Sequence, residues 1–181
     1  MKHKLSETLQ IPESVECAYK DKILNCKKDQ LEISHKIHAP TINLKITDKQ
    51  IKIICEKGNK LDYKKLMTFK AHINNIFRGL TENFTYQLEI CNVHFPMSVK
   101  TEGSKLSINN FLGEKVPRHA EILPNAEVKI NANQITVTSH DKEAAGQTAA
   151  NIETATKVTG RDRRIFQDGI FITSKPERKA Q

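Results

Sequence analysis

Ile42-Asn43-Leu44-Lys45-Ile46-Thr47-Asp48-Lys49-Gln50-Ile51-Lys52-Ile53-Ile54-Cys55 is two alternating runs around a short polar turn. The same grammar returns at Glu127-Val128-Lys129-Ile130-Asn131-Ala132-Asn133-Gln134-Ile135-Thr136-Val137-Thr138-Ser139. Lys45, Ile46, Gln50 and Ile51 reappear as Lys129, Ile130, Gln134 and Ile135, a constant offset of 84 residues. Period-two alternation places one face of each run on a core and the other in solvent, so each stretch predicts a hairpin. In both places the second run leads directly into a helical pattern. An offset this long exceeds the unit of a solenoid, so the chain predicts two globular halves built to one plan.

Beyond the first hairpin, a helix is predicted to start after Asp62 as N-cap and to stop at Gly79 as a left-handed terminator. Leu66, Phe69, Ile73, Ile76, Phe77 and Leu80 recur at spacings of three and four and form one apolar stripe to lay on a sheet. The second helix is predicted from about Asp141, with Ala145, Ala149, Ile152 and Ala155 as a stripe small enough for close approach to its sheet. Its opposite face is predicted to carry Gln147, Thr148, Asn151 and Thr154. Between the helices, Thr85–Cys91 alternates, and residues 96–108 read as strand, turn and strand. These elements predict a boundary near residue 80, with an N-terminal α+β domain over 1–80 and a C-terminal one over 81–181. Residues 1–80 hold 16 basic against 9 acidic side chains, spread as on a solubility surface, whereas 81–181 hold 13 against 12. Seven of those 13 fall in the last 25 residues, so the second half gathers its positive charge at one end.

The whole chain of 181 residues carries a net charge of +8, which favours a polyanionic partner, and 38% hydrophobic residues, enough to build a core. Apolar runs as short as Ile53-Ile54-Cys55 cannot span a bilayer, and Met1-Lys2-His3-Lys4 is followed by Ser, Glu and Gln rather than an apolar signal segment. A cytoplasmic protein without a membrane partner is the expectation. Cys17, Cys26, Cys55 and Cys91 have no C-x-x-C spacing and sit in strand-like runs, which predicts reduced packing residues. The seven histidines supply no paired ligand spacing, so no metal is expected. No phosphate-binding glycine loop, H-E-x-x-H helix or nucleophile elbow occurs, which predicts no enzyme, no catalytic residue and no cofactor. His140-Asp141 and His72 read as helix cap and packing residue.

The chemistry concentrates in Gly160-Arg161-Asp162-Arg163-Arg164-Ile165-Phe166-Gln167-Asp168-Gly169-Ile170. Three arginines within four positions present more guanidinium forks than nearby carboxylates can neutralise, and such forks match phosphate. The apolar residues beyond them tie the cluster to a core and distinguish it from a flailing basic tail. Arg161, Arg163 and Arg164 are the leading phosphate ligands, Lys175, Arg178 and Lys179 add looser contacts, and Lys115 and Arg118 in the loop after Leu112 are second-tier candidates. Binding by shape and charge is expected, since the major groove of double-stranded RNA is too narrow for side chains to read.

The strings Thr68-Phe69-Lys70-Ala71-His72-Ile73-Asn74-Asn75, His94-Phe95-Pro96-Met97, Asn109-Asn110-Phe111-Leu112-Gly113-Glu114-Lys115, Gly146-Gln147-Thr148-Ala149-Ala150-Asn151-Ile152-Glu153 and Gly160–Arg164 with Phe166–Ile170 occur in this order. Over about residues 60 to 175 the chain thereby resembles the large-subunit ribosomal protein L-six family in its archaeal and eukaryotic form. The resemblance implies an α+β fold of two tandem duplicated domains, each a small, largely antiparallel sheet packed on one α-helix. It also implies a structural constituent of the large ribosomal subunit that binds ribosomal RNA near the stalk base and sarcin–ricin loop. Neighbouring ribosomal proteins at the stalk base, and translational GTPases nearby, are the implied partners. In that family most RNA contacts come from the C-terminal half, which here implies Gly160–Arg164, the turn containing Gln167, and Lys175, Arg178 and Lys179. One departure is visible: the family's first hairpin has a Gly-Pro-Lys-Gly turn, whereas Asn25-Cys26-Lys27-Lys28-Asp29-Gln30 contains no glycine to take a positive φ. The alternative is a free-standing regulatory protein that binds single-stranded nucleic acid. Such proteins stack bases on aromatic platforms, and this chain has no Trp and only three Tyr.

Overall fold

Asn59 decides where the first helix begins. Its side-chain oxygen accepts hydrogen bonds from the backbone N–H of Leu61 (2.8 Å) and Asp62 (3.0 Å), and Asp62 reaches back to accept from the Asn59 N–H at 3.0 Å. This reciprocal capping box makes Asp62 the third helical residue and not the predicted N-cap. The helix, α1, spans Lys60–Gly79. Gly79 ends it, but without a left-handed turn: Leu80 is right-handed, and its N–H closes onto the Ile76 carbonyl while Thr81 and Glu82 donate to Arg78.

The computed structural model describes residues 3–177 apart from 30, 38, 39 and 48. It divides into two compact units, Met1–Glu82 and Asn83–Gln181. In the first, β1 (His3–Gln10), β2 (Glu16–Lys20), β3 (Ile23–Lys28), β4 (Leu31–Lys36), β5 (Asn43–Thr47) and β6 (Gln50–Gly58) precede α1. In the second, β7 (Phe84–Cys91), β8 (Ser98–Glu102), β9 (Lys105–Asn109), β10 (Arg118–Glu121), β11 (Glu127–Asn131) and β12 (Gln134–Ser139) precede α2 (Lys142–Ala155), and β13 (Gly169–Ser174) comes after it. The fold is α+β with two duplicated units of antiparallel strands, each packed on one helix. Among the described residues each unit carries two small sheets, ordered β1-β6-β5 and β2-β3-β4 in the first, and β11-β12-β7-β13 and β10-β9-β8 in the second. Alternation alone could not sort strands between two sheets, because both present the same period.

The 84-residue offset survives in the hydrogen-bond register. Thr47 pairs with Gln50 and Ile46 with Ile51; Asn131 pairs with Gln134 and Ile130 with Ile135. The glycine-free hairpins close by other means. Asp21 and Lys22, at φ of 52° and 63°, form the two-residue turn between paired Lys20 and Ile23, and Asp29 takes φ 52° between β3 and β4. Aspartate tolerates the left-handed region better than most residues because its short side chain can bond locally.

Two separate cores result. In the first, Leu66, Ile73, Ile76, Phe77 and Leu80 of the predicted stripe bury against Ile51 and Ile53 of β6 and Leu9 of β1. In the second, Ala145, Ala149 and Ile152 of α2 are fully buried with Leu88, Ile135, Val137 and Ile170. Close approach is visible at Gly146, where a Cβ would lie 2.9 Å from the Tyr86 hydroxyl oxygen. Thr148 corrects the predicted polar face: it is fully buried, and its hydroxyl accepts the Leu123 N–H at 3.2 Å. Gln147 donates to Asn151, which donates to the Glu121 carbonyl at the end of β10, so these amides tie the helix to its second sheet.

Candidate nucleic-acid interface

After its helix the second unit departs from the plan of the first, adding a loop over residues 156–168 and a strand, β13, on the free edge of β7. Asp168 fixes the end of that loop. Its side chain is fully buried, one oxygen accepts the N–H groups of Val93 (2.8 Å) and His94 (2.9 Å), and the other meets His94 Nδ1 at 2.7 Å. Burial by itself would push this carboxyl up, but the bonds from the His94 backbone, the His94 ring and the Val93 backbone, with the attraction of His94, together hold it down at about 2. Thr156 fixes the other end by accepting the Ile170 N–H at 2.9 Å while donating to the Glu153 carbonyl.

Between these anchors the chain turns at Gly160, φ +71°, and Ile165 and Phe166 donate to the Asp162 carbonyl. The Phe166 ring stacks on His94, centroids 5.1 Å apart, and the Arg161 guanidinium lies 4.8 Å from the same ring. A cation held on an aromatic ring is pre-positioned yet keeps its charge. Arg163 is exposed, has no partner among the described residues, and helps to line a cleft of about 690 Å³ with Cys91, Val93, Lys157, Phe166 and Phe171. Arg164 is 90% exposed and forks onto Asp162, with Nη2 at 2.8 Å. The Arg164 guanidinium and then its backbone N–H hold the Asp162 carboxyl below its usual range. So exposed a pair is readily exchanged for another anion. Gln167 is exposed and donates to the Arg164 carbonyl at 3.1 Å, bracing the turn.

The remaining candidates divide. Lys115 and Lys175 are exposed and have no partner among the described residues. Arg178 and Lys179 lie outside the described residues. Arg118, the other second-tier candidate, opens β10 and has its guanidinium engaged within the unit. It donates to both Glu114 oxygens (2.8 and 2.6 Å) and to the carbonyls of Ala155 (2.9 Å) and Lys157 (3.4 Å), and it lies 4.2 Å from the centre of the Phe111 ring. Four of its five N–H groups are thereby used. Arg118 caps the C-terminal end of α2, where carbonyls lack helical partners and a cation is favoured. The sequence reading also missed His94 and Asp168 as anchors. A carboxylate between Gln167 and Gly169 at the mouth of an apolar strand is a faint signal, and its partner 74 residues away gives none.

Residues 95–169 match the family described as Ribosomal protein L6. The chain is 38% identical to the Large ribosomal subunit protein uL6 of Haloarcula marismortui, over 94% of its own length and 96% of that protein. The chain belongs to the ribosomal protein L6 family. A second member, the Large ribosomal subunit protein uL6 of Methanosarcina mazei, is also 38% identical, over 97% of this chain and 99% of its own. In this L6 protein His72 stacks on His35 with centroids 4.7 Å apart, and His94 is part of the loop anchor. No helix among the described residues is long and apolar enough to cross a membrane.

Proposed function

We propose that this L6 protein is a non-catalytic structural constituent of the large ribosomal subunit, in the cytoplasm, and that it binds folded ribosomal RNA near the stalk base and sarcin–ricin loop. In this reading residues 1–80 form a domain whose lysines give solubility and residues 81–181 form the RNA-binding domain with its basic tail. Neighbouring ribosomal proteins share the stalk base, and translational GTPases dock close by. One observation carries the reading to residues: a cation-rich loop is tied at both ends, by Asp168 and Thr156, into the sheet and helix of the second unit. A pre-positioned cation loses little conformational freedom when a phosphate arrives, so charge placed on an anchored loop binds more tightly than the same charge on a free tail.

Arg161, Arg163 and Arg164 make the principal phosphate contacts, with the Asp162 partnership of Arg164 exchanged for RNA. Gln167 holds the turn, and Lys115, Lys175, Arg178 and Lys179 add charge around it. If roughly four to six phosphates are neutralised, log affinity falls against log salt with a slope of about −3 to −5. Replacing Arg161, Arg163 and Arg164 together by alanine should flatten that slope by about two to three units in binding to a large-subunit RNA fragment. An unchanged slope removes the loop from the binding surface. Failure of the intact protein to cosediment with large subunits at high salt overturns the ribosomal placement itself.

A further inference from the structure

Cys17 on β2 and Cys26 on β3 are directly opposed in the antiparallel register, and their sulfurs lie 3.0 Å apart. Both are free thiols. We propose that this pair is an oxidative modification site, converted by hydrogen peroxide into a cross-strand disulfide. The two lie nine positions apart in sequence, so no dithiol motif announces them; the tight turn at Asp21 and Lys22 makes them neighbours. Opposed residues of an antiparallel pair have Cα atoms about 4.5 or 5.5 Å apart, and both values fall within the range of about 4.4 to 6.8 Å that a disulfide spans. The sulfurs must close by about 1 Å to reach bonding distance, within reach of side-chain rotation.

The two thiols are unequal, as such a reaction requires. Cys17 is partly exposed, whereas Cys26 is fully buried. The contact between the two sulfurs holds the Cys17 thiol below its usual range despite burial, and the same contact, then burial and the charge of Cys17, push Cys26 up. Cys17 is thus the accessible nucleophile and Cys26 the resolving thiol. The Cys17 thiolate attacks one peroxide oxygen; the O–O bond breaks, hydroxide leaves and takes a proton to become water, and Cys17 becomes a sulfenic acid. Cys26 then gives up its proton and its sulfur attacks the Cys17 sulfur; the S–O bond breaks and a second water leaves. Two thiols are oxidised by two electrons and one peroxide is reduced to two waters. The product joins β2 to β3, and Cys55 and Cys91 take no part.

The test treats the native full-length protein with hydrogen peroxide, then alkylates it and reads intact mass and peptide map. The free thiols should fall from four to two, with loss of two hydrogen masses, a Cys17–Cys26 cross-linked peptide, and reversal by a dithiol reductant. Disulfide formation should run about tenfold or more faster in the folded protein than in urea, because the sheet supplies the proximity. Cys17→Ser should abolish the intramolecular bond, and Cys91→Ser should behave as wild type. Retention of four alkylatable thiols, over-oxidation of Cys17 without a bond to Cys26, or equal rates folded and in urea would each overturn the proposal. These readouts need no RNA and stand apart from the ribosomal reading.

Discussion

Replacing Asp168 by asparagine keeps the shape of the loop anchor and one carbonyl oxygen but removes the charge on which three hydrogen bonds converge. A fall of the carboxyl from 3.8 to about 2 on folding is worth about 2 kcal/mol at neutral pH. Because the folded value is the lower one, this stabilisation is complete above about pH 4 and is lost as pH falls toward 2. At pH 3 about half should be gone. Asp168→Asn should therefore cost about 2 kcal/mol in urea unfolding at pH 7, and the gap from wild type should shrink steadily below pH 4. Hydrogen exchange locates the effect: the Val93 and His94 amides should lose protection, while amides of the first unit should not change. RNA affinity should fall with the salt slope intact, since no phosphate ligand has been removed. A stability gap that stays constant from pH 7 to pH 2.5, or unaltered exchange at Val93 and His94, would refute the anchoring role.

Asn59→Ala removes both cap bonds of α1 and should lower stability by about 1 kcal/mol in urea unfolding, within the usual range of N-cap losses. Gly146→Ala places a Cβ 2.9 Å from the Tyr86 hydroxyl oxygen and should lower the thermal midpoint; Tyr86→Phe in the same chain should restore most of the loss, because the next ring atom is at 3.4 Å. Arg118→Lys leaves the charge but forfeits the fork onto Glu114 and the Ala155 carbonyl. It should destabilise the second unit by about 1 to 3 kcal/mol and alter the RNA salt slope by less than one unit, the reverse of what the Arg161, Arg163 and Arg164 substitutions do.

Much of this fold is local and therefore written in the chain. The stripe Leu66, Ile73, Ile76 and Phe77, the small face Ala145, Ala149 and Ile152, and the hairpins around Gln50 and Gln134 each arise from spacings of two to four residues. The cationic loop is legible for the same reason, as three arginines within four positions. The elements that sequence reading placed wrongly depend on partners it could not see. Asp62 resembles an N-cap until Asn59, three residues earlier, is found to hold the orphan N–H groups. Thr148 looks solvent-facing until β10 and the turn after it cover that side of α2 and supply an N–H for its hydroxyl. Arg118 reads as a residue of the loop after Leu112 until β10 takes it in and the end of α2 offers it two carbonyls.

Periodicity and composition act over a few residues, and they sufficed for the element types, the duplication and the place where positive charge gathers. Folding had to settle which strands share a sheet, that Cys17 faces Cys26, and that Asp168 joins His94 across 74 residues. The difference lies in chain closure. A contact between distant residues depends on the summed free energy of everything folded between them, and no short window of sequence contains that sum.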